Sequence, residues 1–105
     1  MATDIGSDVK PDKISLRPVI GLTEGLSKGD LEQITIEAIR THRRLRDAAD
    51  TRCEEWRQTL STEALDTVGP ARIAYVVAMI EMHAQQAALS TLLDLLGHVP
   101  SVPAD

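Results

Sequence analysis

The sequence predicts an all-α protein: two long antiparallel helices forming a hairpin, with hairpins dimerising into a four-helix assembly. Three observations carry this. The hydrophobic fraction is 43% but the aromatic fraction only 2%, so Ala, Leu, Ile, Val and Met supply the apolar surface, a mix that favours helix over sheet. No Pro or Gly interrupts residues 30–68, and apolar residues recur there at helical spacing. A second apolar stretch is bracketed by Pro70 and Gly97, in the order helices prefer: Pro in the first turn, Gly after the last.

Residues 1–14 are polar, with Gly6 and Pro11, and read as a flexible tail. The single domain spans 15–105. Its arm, 15–26, holds Leu16, Val19, Ile20, Leu22 and Leu26 among Pro18, Gly21 and Gly25. It is too apolar to float and too interrupted for a long helix, so an extended or one-turn arm packed on the body is expected. The first long helix is expected over 27–60. Ser27 and Asp30 form a capping-box-like start. Leu31, Ile34, Ala38, His42, Leu45, Ala49, Cys53, Trp56 and Leu60 then follow one helical face. A connection over 61–69 leads to the second helix over 70–96, and 97–105 is a tail. The helices are each roughly 40–45 Å long, and a short connection makes them antiparallel.

The second helix carries two apolar stripes. One is Ile73, Val77, Ile80, Ala84, Ala87, Ala88 and Leu95; the other is Tyr75, Met79, Met82, Leu89, Leu93 and Leu96. The first helix covers only one of them. Ile36 and Ile39 also lie off the main stripe of the first helix. Each aliphatic side chain left wet forgoes about 1.5–3 kcal/mol, so a second copy is expected to cover the surplus, with twofold symmetry.

The formal net charge of −5 argues against direct nucleic-acid binding, which needs cations to displace counterions. The single cysteine, Cys53, excludes an internal disulfide and fits a reducing cytoplasm. Residues 1–10 lack an apolar signal core. The longest apolar run, 73–80, is far short of the about 20 residues a membrane span needs.

Catalytic and metal chemistry find little support. His42, His83 and Glu81 lack HExxH spacing and are too few for a structural zinc site. Cys53 has Arg52 and Arg57 nearby but also Glu54 and Glu55, and its apolar stripe makes it a core thiol. No phosphate-binding glycine loop or catalytic triad order is present. No catalytic residue, cofactor, metal or small-molecule substrate is expected. The basic run at Arg43, Arg44 and Arg46 reads either as a solvated face, with Arg43 and Arg46 pairing to Asp47 and Asp50, or as a protein-docking surface.

The stretch LRPVIGLTEGL (16–26) resembles the N-terminal arm of the TraM family of quorum-sensing antiactivators. DLEQITIEAIRTHRRL (30–45) resembles that family's first long helix. GPARIAY (69–75) and IEMHAQQAALSTLLDLLGHVP (80–100) resemble its second. Residues 46–68 depart from the family pattern, and Trp56 stands where a smaller apolar residue is usual.

The resemblance implies a cytoplasmic, plasmid-encoded repressor of conjugation genes. Such a protein binds TraR, a LuxR-type activator dependent on an acyl-homoserine lactone, mainly at its DNA-binding domain. It also implies a homodimer with a contact near Trp56 and a functional tyrosine at Tyr75. The partner-binding residues expected on this reading are Arg17, Ile20, Arg40, Arg43, Arg44, Tyr75, Glu81 and Gln85. Those expected at the dimer interface are Trp56, Met79, Met82, Leu89 and Leu93. Glu24, Asp30, Glu32, Glu37 and Glu81 are suited to a basic target face. They alternate with Arg40, Arg43 and Arg44, so docking beside the target's recognition helix is favoured over imitation of DNA. A small helical dimeric enzyme of chorismate mutase type is the alternative; its arginine clamp is not evident here, since Arg43 and Arg44 point to different sides. A DNA-binding dimer is the third reading.

Overall fold

In a computed structural model, which describes residues 16–60 and 69–104, the chain is a helical hairpin with an arm and a folded-back tail. The elements are α1 (Arg17–Thr23), α2 (Lys28–Thr59) and α3 (Pro70–Leu96). The expected N-terminal tail, and the expected connection except Gly69, lie outside the described residues.

The arm is more regular than its sequence suggests. Pro18 sits in the first turn of α1, where its missing N–H removes no helical bond. Gly21 is tolerated inside, and Gly25 at φ 83° ends the arm in the left-handed region. The backbone N–H of Leu16 donates to Thr91 Oγ1 at 3.0 Å, which fastens the arm to α3.

Helix α2 opens as expected, with Ser27 Oγ accepting from the Asp30 N–H at 3.1 Å. Its packed face differs from the expected one at two positions, Ile34, whose place Thr35 takes, and Leu60, which is exposed at the helix end. Ile34 is 41% exposed and Thr35 is fully buried. Thr35 can take an interior place because its hydroxyl donates to the Leu31 carbonyl at 2.8 Å, leaving no unpaired polar group. The packed row therefore runs Leu31, Thr35, Ala38, His42, Leu45 and Ala49, in alternating steps of four and three.

Helix α3 answers with Ala78, Met82, Gln85, Leu89, Leu92 and Leu96, at the same alternation. Two such rows packing together give the shallow crossing of coiled-coil hairpins. The helix ends at Gly97, whose φ of 89° closes it with an N–H to the Leu93 carbonyl at 2.9 Å. Of the two apolar stripes on α3, α2 covers the one bearing Leu89 and Leu96.

The tail covers a second surplus face. Arg43 donates to the Pro103 carbonyl at 2.6 Å and to the Val102 carbonyl at 2.9 Å. His98 Nε2 lies 3.5 Å from Glu32 Oε2. Glu32 to Arg43 is roughly 16 Å of helix, and His98 to Pro103 is about 16 Å of extended chain. The tail thus runs along α2 between two anchors. Ile36 and Ile39 lie on that helix face between them and are half-buried, while Pro100 is buried. The expected partner for this face was a second copy; within one chain, the tail supplies it.

Arg43 is consequently a strap residue. Arg43→Ala is expected to cost about 1 kcal/mol in denaturant unfolding and to raise amide exchange in 99–104. Arg43→Lys recovers only part, because an ammonium lacks the planar fork that reaches two carbonyls. Unchanged exchange in the tail would refute this role.

The packing is uneven along the hairpin. Leu96, Thr35 and Thr91 are the largest fully buried side chains, and all lie where arm, α2, α3 and tail meet. Toward the connection, only α2 and α3 remain among the described residues. There Leu60, Ile73, Val76, Val77 and Ile80 stay exposed.

Candidate functional site

No reaction centre is assembled among the described residues. No three of His, Cys, Asp or Glu gather as a metal site. His42 lies in the α2–α3 groove, while His83 is exposed. The groove is a cavity of about 360 Å³ whose lining includes His42, Arg46, Cys53, Tyr75, Met79 and Met82. His42 and Cys53 share a helix face but stand roughly 16 Å apart along it, too far for a thiol–imidazole pair. His42 Nδ1 and Gln85 Oε1 are buried with no hydrogen-bond partner; such atoms cost stability unless a neighbour or water reaches them.

Aromatic packing closes the thin end. Trp56 and Tyr75 stack with centroids 5.3 Å apart and an interplanar angle of 24°. The Arg72 guanidinium sits over the Trp56 ring at 5.5 Å. Arg72 and Tyr75 are one turn apart on α3, so that helix presents a cation and a ring to one indole. Each contact is worth about 0.5–1.5 kcal/mol.

The residues expected to bind a partner fall into two groups. Arg17, Arg44 and Glu81 are exposed, Ile20 is half-buried, and Arg40 lies 3.5 Å from Glu37 on the outer flank of α2. Arg44 donates to Thr41 Oγ1 on the same flank. The second group serves the chain itself. Arg43 holds the tail. Gln85 Nε2 donates across the hairpin to the Ala38 carbonyl at 2.9 Å. Tyr75 is half-buried against Trp56.

Among the residues expected at a dimer interface, Leu89 is buried within the single chain. Trp56, Met79, Met82 and Leu93 are half-buried, with Met79 and Met82 lining the α2–α3 groove. The face of α3 directed away from α2 is the bare one. Ile80 is 63% exposed, and Ile73, Val76 and Val77 accompany it. The arm covers the same side of α3 farther on, at Thr91, and stops short of this patch. A further concavity, near Leu26 and Ile34, was not anticipated from the sequence.

Together these features define a class: a small helical hairpin with charged outer flanks and a bare apolar face on its second long helix. Comparison with known proteins gives the family. The family model for the prokaryotic transcriptional repressor TraM matches residues 3–101, and the chain belongs to that family. It is 52% identical over 90 residues to the transcriptional repressor TraM of Rhizobium radiobacter, covering 86% of this chain and 87% of the relative. It is 45% identical over 89 residues to the transcriptional repressor TraM of Agrobacterium fabrum (strain C58 / ATCC 33970), covering 85% and 86%. A crystal structure of a second quorum sensing antiactivator, TraM2, from A. tumefaciens strain A6 superposes with a TM-score of 0.75 at 45% identity, covering 85% of this chain and 99% of that one. The family is one of regulators, not enzymes, which sets the mutase reading aside. Among the described residues no helix is long and apolar enough to cross a membrane.

Proposed function

We propose that this protein is a cytoplasmic quorum-sensing antiactivator. It binds a LuxR-type activator of the TraR kind, chiefly at its DNA-binding domain, and keeps it off its operators, so that conjugal transfer genes stay silent. The observation that carries this reading is the family match over 3–101, which takes in both long helices and their exposed flanks. The acidic balance of the chain supports it, since a DNA-binding surface is basic. Inhibition requires only tight binding: a specific DNA complex has a dissociation constant on the order of 10⁻⁸–10⁻¹¹ M, and the antiactivator must compete in that range or hold a shape that DNA does not accept.

The working form on this reading is a homodimer. The bare patch of Ile73, Val76, Val77 and Ile80 is apolar and suits an isologous contact between two α3 helices. Trp56, Met79 and Met82 belong to the same thin end and would be steadied by it. Arg17, Ile20, Arg40, Arg44 and Glu81 remain the residues proposed to touch the activator directly, with Arg43, Tyr75 and Gln85 acting through the tail and groove they organise.

The test is a promoter gel shift with ligand-loaded TraR and increasing amounts of the purified full chain. The shifted band should disappear near stoichiometric ratios. An operator that stays occupied at every ratio rejects the proposal.

A further inference from the structure

The groove between α2 and α3 joins two features that helix packing leaves unexplained: room, and an unused polar atom. It holds about 360 Å³, at the small end of the roughly 300–1,000 Å³ typical of small-molecule sites. Its walls are apolar and adaptable. Met79 and Met82 line it from α3 and Ala49 and Cys53 from α2, with Tyr75 at the end nearer the connection. Thioether chains adjust to a guest more readily than branched ones. At the other end stands His42, whose Nδ1 is buried without a hydrogen-bond partner. Gln85 does not supply one. Its Nε2 is committed to the Ala38 carbonyl at 2.9 Å, and its Oε1 is itself buried without a partner.

We propose that this groove binds a short uncharged amphiphile. Its amide or hydroxyl head hydrogen-bonds to His42 Nδ1, and its aliphatic chain lies along Met82 and Met79 toward Tyr75. Three observations select that chemistry. Nδ1 donates in one imidazole tautomer and accepts in the other, and an amide or hydroxyl both donates and accepts, so it serves either. The charged residues of the lining, Arg46 and Asp50, are exposed and one turn apart on α2. Their opposite signs offset each other, so nothing in the groove repays the burial of a charged head. The lining from His42 to Cys53 runs roughly 16 Å along the helix, which makes a slot for a chain and not a pit for a compact ring. A second copy of this chain is the poorer occupant: it would have to place a polar group on His42, whereas the outward face of α3 offers it a purely apolar contact at Ile73, Val77 and Ile80.

Occupation has a mechanical consequence. A chain held between α2 and α3 fixes their spacing at the thinly packed end of the hairpin. A guest that binds only the folded protein also raises its melting temperature by mass action.

The experiment titrates the full chain with octanamide, and with octanoate and octylammonium as charged counterparts of equal chain length. Trp56, the only tryptophan, stacks on Tyr75 at the end of the groove, so its emission reports filling. Proton–nitrogen spectra of the three histidine rings report the place. Octanamide is expected to shift the His42 signals, to leave those of the exposed His83 and His98 unmoved, and to bind about fivefold or more tighter than either charged probe. His42→Leu keeps an apolar wall and should weaken octanamide about fivefold, the loss expected for one hydrogen bond. Should that variant fail to fold, the wild-type spectra decide alone. Octanamide that moves no His42 signal overturns the proposal and leaves the groove to water. Equal affinity for the three probes overturns it as well, since that is adsorption without a head-group site. Octanamide that splits paired copies in sedimentation overturns it by showing the groove to be a contact between copies.

Discussion

If the proposed homodimer pairs through the back of α3, Ile80→Glu is expected to convert it to single chains. Ile80 is the most exposed residue of the bare α3 patch, between Val77 and Ala84 on the face directed away from α2. In a twofold contact every residue acts twice. Burying one isoleucine contributes about 1.5–3 kcal/mol, so the doubled loss is on the order of 4 kcal/mol. Two carboxylates desolvated without partners add more. Self-association should therefore weaken on the order of 10³-fold or more. Sedimentation velocity at micromolar concentration reads this directly: one chain mass for the variant, two for the wild type. Ile80→Val should remain paired. A variant that still sediments as a pair would place the contact elsewhere on the surface.

Much of this architecture is legible in the residues, and the reasons are local. The second helix ends where its punctuation says, at Pro70 and before Gly97, because a fixed φ at one end and a left-handed φ at the other leave little latitude. The first helix departs from expectation by one residue at each end. Periodicity alone put Ile34 inside. The structure prefers Thr35, since a hydroxyl that bonds its own helix carbonyl behaves as a small interior residue. The arm contains more helix than its Pro and Gly content suggested, stabilised by its docking at Thr91 rather than by propensity.

The tail was the least legible element. Its Arg43 anchor joins residues about sixty positions apart through backbone carbonyls, and carbonyls carry no sequence signature. Surplus apolar residues on α2 signalled that something must cover them, but not what. The same blindness affected the interaction surface. Arg43 and Gln85 look like binding residues by type, yet each is engaged inside the chain. Ile34 and Leu26 look like core, yet they line an open groove. Residue type states what a side chain can do; only the direction of its face decides whom it does it to.

Leu96→Ala should produce the largest loss of stability of any single truncation. Leu96 is fully buried and is the last residue of α3, where arm, tail and the start of α2 converge. Four segments meet there, so none can move inward without disturbing the others, and the vacated volume persists as a cavity. Removal of a leucine side chain in such a setting costs about 2–5 kcal/mol, a large share of the roughly 5–15 kcal/mol that holds a domain together. A chain this short has little other core to fall back on. Urea unfolding at matched protein concentration gives the value, matching being necessary because association contributes to apparent stability. The arm and tail should loosen together in hydrogen exchange, since both rest on this corner. Leu60→Ala, an exposed leucine beside the connection, should lose well under half as much. Equal losses at the two positions would mean that the thick end of the hairpin is not where its stability resides.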